Sequence, residues 1–161
     1  MSIGDAFRIY AEFDGSIRTG IAVQNHDETA AAVTFELTQL DGTSSEFRGS
    51  LEIPPLGERA IFLNEIPGFQ SLPSPFKGLL RISSSSSGAI SVLGLRTRTN
   101  ERGDFMITTI PATDEKAARA NQLVFPHVVD GGGYSTEFIT FGAGNLQLFS
   151  QSGGVVGLTL R

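Results

Sequence analysis

Two histidines stand near carboxylates, and that pairing is where metal chemistry would first be sought. His26 is followed by Asp27 and Glu28, and His127 stands shortly before Asp130; imidazole with carboxylate suits several transition metals. Both groups fall in polar turns far apart in the chain, so they read as loop residues and no metal ligand is assigned. Asp14, Asp41 and Asp130 each precede glycine, and calcium favours carboxylates in tight loops. Hairpin turns select Asp-Gly for backbone reasons alone, and the turn reading is preferred. Arg102-Gly103-Asp104 is the tripeptide that animal integrins read on exposed loops, but it lies in an expected hairpin turn where Gly and Asp belong anyway. The run from Ser83 to Ser87 offers O-glycan acceptors and reads as a solvated loop.

Gly131-Gly132-Gly133 and Gly142-Ala143-Gly144 have the composition of a phosphate-cradling loop. Each leads into an expected strand, whereas that kind of anion binding needs a helix N-terminus behind the loop. Covalent catalysis finds little support. The chain has no Cys, no Gly-x-Ser-x-Gly elbow, and only His26 or His127 as base for a serine. Two acids converging from distant strands would suffice for a hydrolase, yet the chain has no Trp and only 2 Tyr on which a sugar would stack. No catalytic, cofactor-binding or metal-binding residue is assigned, and the chain is expected not to be an enzyme.

The composition narrows the partners. Of 161 residues, 40% are hydrophobic and 18% charged, and mean hydropathy is +0.03, enough to bury a core. A net charge of −5 argues against nucleic acid, whose binding is built on Lys and Arg against phosphates. Without cysteine there is no disulfide frame and no thiolate metal site. No apolar run reaches the ~18 residues of a membrane helix. The first thirteen residues lack the basic-then-apolar order of a signal peptide, so an exported protein would need a signal outside these residues.

Period-two alternation supplies the scaffold. Phe7, Ile9, Ala11 and Phe13 share one face against Arg8, Tyr10 and Glu12, a half-buried strand. Similar runs follow from Ile17 to Val23, from Val33 to Gln39, from Phe47 to Ile53, from Ala60 to Leu63, from Leu79 to Ser83, from Ala89 to Thr97 and from Phe105 to Ile110. Asp14-Gly15 and Asp41-Gly42 mark hairpins, and Pro54-Pro55 ends a strand. Residues 64–75 hold three prolines and one glycine with Ile66, Phe69 and Leu72 as apolar plugs, which predicts a one-turn helix and a long loop over the sandwich edge. Residues 112–121, charged and Ala-rich, read as a linker with a little helix.

Beyond the linker the pattern begins again. Asp14-Gly15 and the strand after it are echoed by Asp130-Gly131 and Thr136 to Thr140. The alternating run from Val33 to Gly42 is echoed by Asn145 to Gly153. The expected organisation is a complete β-sandwich over residues 1–111, a linker over 112–121 and a truncated second unit of about four strands over 122–161, at Leu123 to Phe125, Tyr134 to Phe141, Leu146 to Phe149 and Val155 to Leu160. Such a half-unit exposes an apolar face and open edges, so it must pack on the first unit or on a neighbouring chain.

Five segments carry a family resemblance. They are Thr19-Gly20-Ile21-Ala22-Val23-Gln24-Asn25, Phe62-Leu63-Asn64-Glu65-Ile66, the run from Phe76 to Ser83, the run from Ser91 to Arg96, and the run from Phe125 to Thr136. In this order they resemble a tandem β-sandwich module of large, predicted secreted or surface proteins of environmental bacteria. The resemblance implies a secreted or cell-surface location and a structural or adhesive role, and brings no catalytic residues. The fold expected is therefore an all-β, antiparallel β-sandwich, self-associating through strand addition by the stretch from Leu146 to Leu160 or from Phe7 to Phe13. The alternative expectation is a carbohydrate-binding module using the loop over residues 64–75 and a sheet face.

Overall fold

The structure, a computed structural model, describes residues 2–85, 89–118, 122–141 and 145–157. Contacts divide the chain into Met1–Ala120 and Asn121–Arg161. The first unit is antiparallel throughout, with strands β1 (Ala6–Asp14), β2 (Ile17–Asn25), β3 (Ala31–Gln39), β4 (Ser44–Ile53), β5 (Glu58–Phe62), β6 (Phe76–Ser84), β7 (Ile90–Thr99), β8 (Phe105–Ile110) and β9 (Thr113–Asp114). The strands expected from alternation between Phe7 and Ile110 are all present, and the chain is all-β with a sandwich-like arrangement.

The β1–β2 hairpin joins the two layers. These strands pair only beside their turn, at Phe13↔Arg18 and Asp14↔Ile17, and then diverge. β1 continues against β6, from Ala6↔Ser83 to Phe13↔Phe76, while β2 continues against β7, from Ile17↔Arg98 to Asn25↔Ile90. One layer therefore runs β4-β3-β6-β1-β9 and the other β5-β2-β7-β8. Near the far end of β1, Gly4 and Ile90 exchange both backbone hydrogen bonds, at 3.0 and 3.1 Å, and tie the layers again.

Alternation decides what fills the space between. Phe7, Ile9 and Ala11 of β1, Val33, Phe35 and Leu37 of β3, and Leu80 and Ile82 of β6 face Ile21 and Val23 of β2 and Ile90 and Val92 of β7 in one buried cluster. Burying a large apolar side chain stabilises the fold by about 1.5–3 kcal/mol. The end of the sandwich is plugged by residues 63–72. A 3₁₀ turn at Leu63–Glu65 opens a series in which the Ile66, Phe69 and Leu72 N–H groups donate to the carbonyls of Leu63, Ile66 and Phe69 at 3.3, 2.9 and 3.0 Å. These successive turns, with Ile66 extended and Gly68 at φ of 95° between them, bring Leu63, Ile66, Phe69 and Leu72 to the inner side, and all four are buried. The expected short helix and loop are there. The loop runs close against β4: a Cβ on Gly49 would lie well inside contact distance of the Pro67 carbonyl oxygen.

Two expectations need correction. Residues 112–118 are not a linker with helical turns: Thr113–Asp114 forms β9, paired with β1 at Phe7↔Asp114 and Arg8↔Thr113, and Glu115 donates its N–H to the Ala6 carbonyl at 3.0 Å. Two of the charges that suggested a solvated linker are bound by residues distant in sequence. Glu115 meets Arg8 and Arg81, and Lys116 pairs with Asp5. In the second unit the described residues hold the hairpin β10 (Leu148–Phe149) and β11 (Val155–Val156) and a Gly131–Tyr134 bridge. Leu123 to Phe125 and Tyr134 to Phe141, expected as strands, carry no strand assignment. The end of the last expected strand, residues 158–160, lies outside the described residues.

Candidate interaction surface

The outward face of the first layer gathers charge from four strands. Arg8 of β1 stands opposite Arg81 of β6, Arg81 opposite Glu36 of β3, and Glu36 opposite Arg48 of β4. This makes one row across the sheet. Like charges directly opposite destabilise a sheet, and Arg8 against Arg81 is such a pair. Glu115, arriving from beyond β9, offsets it: its Oε1 accepts from Arg8 Nε at 2.7 Å and Arg81 Nε at 2.9 Å, and its Oε2 from Arg81 Nη2 at 3.1 Å. Burial pushes the Glu115 carboxyl up, and the hydrogen bonds from Arg81 and Arg8 outweigh it, holding the group below the ordinary carboxylate range. The Glu115 hydrogen bond likewise raises Arg81 above its usual value.

A second row lies beside the first, with Tyr10 opposite Leu79, Leu79 opposite Thr38 and Thr38 opposite Ser44. Between the rows the β3–β4 register shifts, and Glu46 on the longer side adopts φ of 65°, a left-handed conformation uncommon for a residue with a side chain. Beside the bulge lies a cleft of about 250 Å³, lined by Arg8, Glu36, Thr38, Ser44, Arg48 and Arg81 among others. Arg81 is engaged through all three of its guanidinium nitrogens. Arg8 uses only Nε, and Arg48 meets Glu36 only through Nη1, at 3.3 Å. The remaining guanidinium N–H groups of both have no protein partner among the described residues. None of these residues was singled out by sequence, since strand order alone makes them neighbours; the available signal was arginine at outward positions of several alternating strands.

A second feature is an edge. β8 pairs with β7 on one side, from Gly94↔Ile110 to Thr99↔Phe105, and no described strand lies on the other. Phe105 is 64% exposed and Ile107 60%, with Met106 between them also exposed. In the second unit, taken by itself, Leu123, Val124, Phe125, Tyr134, Phe149 and Val155 are all exposed.

The residues first considered for chemistry are dispersed over the chain. His26 Nε2 lies 3.0 Å from Ser91 Oγ, and His127 is exposed in the second unit. Among the described residues no three His, Cys, Asp or Glu side chains are grouped to hold a metal ion. Asp41 Oδ1 accepts from the N–H and Oγ1 of Thr43 at 2.9 and 2.7 Å, which lowers its carboxyl's pKa. In the Arg102-Gly103-Asp104 turn, Asn100 Oδ1 accepts from the Arg102 and Asp104 N–H groups, and Asn100 Nδ2 donates to the Asp104 carboxylate at 2.9 Å. Gly131, Gly132 and Gly133 all have positive φ, and Gly131 and Tyr134 close the turn by exchanging hydrogen bonds. Residues 86–88 of the serine segment and 142–144 of the second glycine segment lie outside the described residues.

No family matches the chain, and no curated protein does. Among solved structures the fold is similar to that described as "Crystal Structure of Thermotoga maritima 1070", with a TM-score of 0.57 at 11% identity, covering 73% of this chain and 100% of that one. The likeness is one of fold. Among the described residues no helix is long and apolar enough to cross a membrane.

Proposed function

We propose that the chain is a non-enzymatic structural or adhesive β-sandwich module of a bacterial secreted or cell-surface protein, and that it self-associates by strand addition. The observation that carries this reading is β8, a sheet edge with no described strand on its outer side, which exposes Phe105, Met106 and Ile107. Exposed apolar edges template pairing with another strand. The exposed apolar residues of the second unit make its stretch 146–160 the favoured donor from a neighbouring copy, head to tail. The other expected donor, residues 7–13, is already paired along its length with β6. Light scattering during size exclusion tests the proposal: mass should rise with protein concentration, and Ile107→Lys should return it to the monomer. A monomeric mass at every concentration refutes self-association.

A second reading, a carbohydrate-binding module, is favoured by the outward two-row face of the first layer. The loop over residues 64–75, expected to contribute, instead buries Ile66, Phe69 and Leu72 in the core.

A further inference from the structure

We infer that the outward face of the β5-β2-β7-β8 layer seats the second unit of a neighbouring copy of this chain; this rests on the self-association reading and names the surface that the neighbour covers beyond the β8 edge. Ile21, Val23, Ile61 and Val92 pack in the core, so alternation turns the residues beside them outward. Phe62, Gly20, Leu95 and Thr109 then stand side by side across the four strands, with Ala60, Ala22 and Leu93 in the next row. Charge is kept to the ends. Among the outward positions of these strands only Arg18 and Glu58 are charged, and Arg18 lies over the Phe62 ring at 4.0 Å with Asn64 and Glu65 accepting from its tip. The outward face of the other layer is the reverse, a charged row through Arg8, Arg81, Glu36 and Arg48.

This apolar face runs without a break into the β8 edge through Thr109 and Ile107. β8 carries no charged residue, whereas the β4 edge carries Glu46, Arg48 and Glu52 and a register shift, the devices that deter pairing.

Area and charge select the occupant. Each outward position covers ~4.8 by ~6.8 Å of sheet, so the face offers roughly 350 Å², under half of the ~800 Å² that a stable interface takes from each partner. Face and edge therefore make one interface for one occupant, the copy whose strand adds to β8. What that copy has to hide is its second unit. The described residues of this unit carry only two charged side chains, Asp130 and Glu137, while Leu123 and Val124 are 72% and 77% exposed. A unit this short rarely supplies a sufficient core of its own. Docking it on the apolar face removes such surface from water on both sides and desolvates few charges. Each copy offers one face and one second unit, so the contact propagates head to tail.

Two measurements on the full chain test this. Ala60 is exposed on β5, three strands and ~14 Å from β8, beyond the reach of a strand added there. Ala60→Lys should therefore raise the concentration at which light scattering finds half of the chains associated by about tenfold. Because the chain has no Cys, Ala60→Cys and Val124→Cys chains can be mixed and treated with a bis-maleimide, and dimers joined through these two positions should form. Ser50→Cys, exposed and outward on β4, should give none in place of Ala60→Cys. The cross-link reads the same contact if the lysine variant folds poorly. Association unchanged in Ala60→Lys but lost in Ile107→Lys overturns the inference and leaves strand addition standing, and a parent chain monomeric at every concentration overturns both. Dimers joined chiefly between two Ala60→Cys chains overturn the second unit as occupant, as does equal coupling of Ser50→Cys.

Discussion

Removing the carboxylate of Glu12 should cost this fold more than removing any other acid in it. Glu12 is 5% exposed. Its Oε2 accepts from Arg96 Nε and Nη2 at 3.2 and 3.0 Å, its Oε1 faces Lys77 Nζ at 3.6 Å, and its backbone N–H donates to Thr19 Oγ1 at 2.8 Å. One side chain of β1 thus reaches β6 in its own layer and β7 in the other, beside the hairpin where the layers part. Truncating one member of a fully buried pair costs about 3–5 kcal/mol. Here the cations are 35% and 51% exposed, so water takes up much of their freed charge, and Glu12→Ala should cost about 1–3 kcal/mol. In a domain of this size that lowers the melting temperature by roughly 4–15 °C. Glu12→Gln keeps the shape and one acceptor and should fall between, at about half the loss. Thermal unfolding followed by circular dichroism measures all three proteins. Melting of Glu12→Ala within about 1 °C of the parent would show that the tie contributes nothing, and the account of how the layers are held would fail.

Two further outcomes follow from the same geometry. Gly49→Ala drives a methyl into the Pro67 carbonyl with β4 on one side and the plugged loop on the other, and should destabilise by about 1–3 kcal/mol in a guanidinium titration. Stability should fall on acidification because the folded-state pKa of Glu115 is depressed: its contribution is present above the ordinary value of 4.5 and is lost as pH drops through the lower folded value. Glu115→Gln should flatten that part of the pH profile, and an unchanged profile would remove Glu115 from the account.

How much of this was legible depended on whether the determining contacts were local. Val33, Phe35 and Leu37 announce β3 because a two-residue period needs only the chain itself, and Asp14-Gly15 and Asp41-Gly42 announce turns because the backbone preference sits in those residues. Residues 112–118 were misread for the opposite reason. Their Ala and charge suggest a solvated linker, and only Arg8, Arg81 and Asp5, far away in sequence, make a strap of them. The row Arg8, Arg81, Glu36, Arg48 was invisible on the same ground, since its neighbours are chosen by strand order. Arg102-Gly103-Asp104 showed the converse hazard: a recognisable tripeptide whose aspartate is held by Asn100 within its own turn.

The plug between β5 and β6 carries a consequence for how this segment can vary. Leu63, Ile66, Phe69 and Leu72 are set by separate i→i+3 turns, with Ile66 extended and Gly68 at φ of 95° between them, so adding or deleting one residue inside the segment withdraws at least one of these side chains from the core. The length of the plug is therefore fixed by what it fills, whereas the exposed hairpin tips at Asp14-Gly15 and Asp41-Gly42 fill nothing and tolerate a change of length.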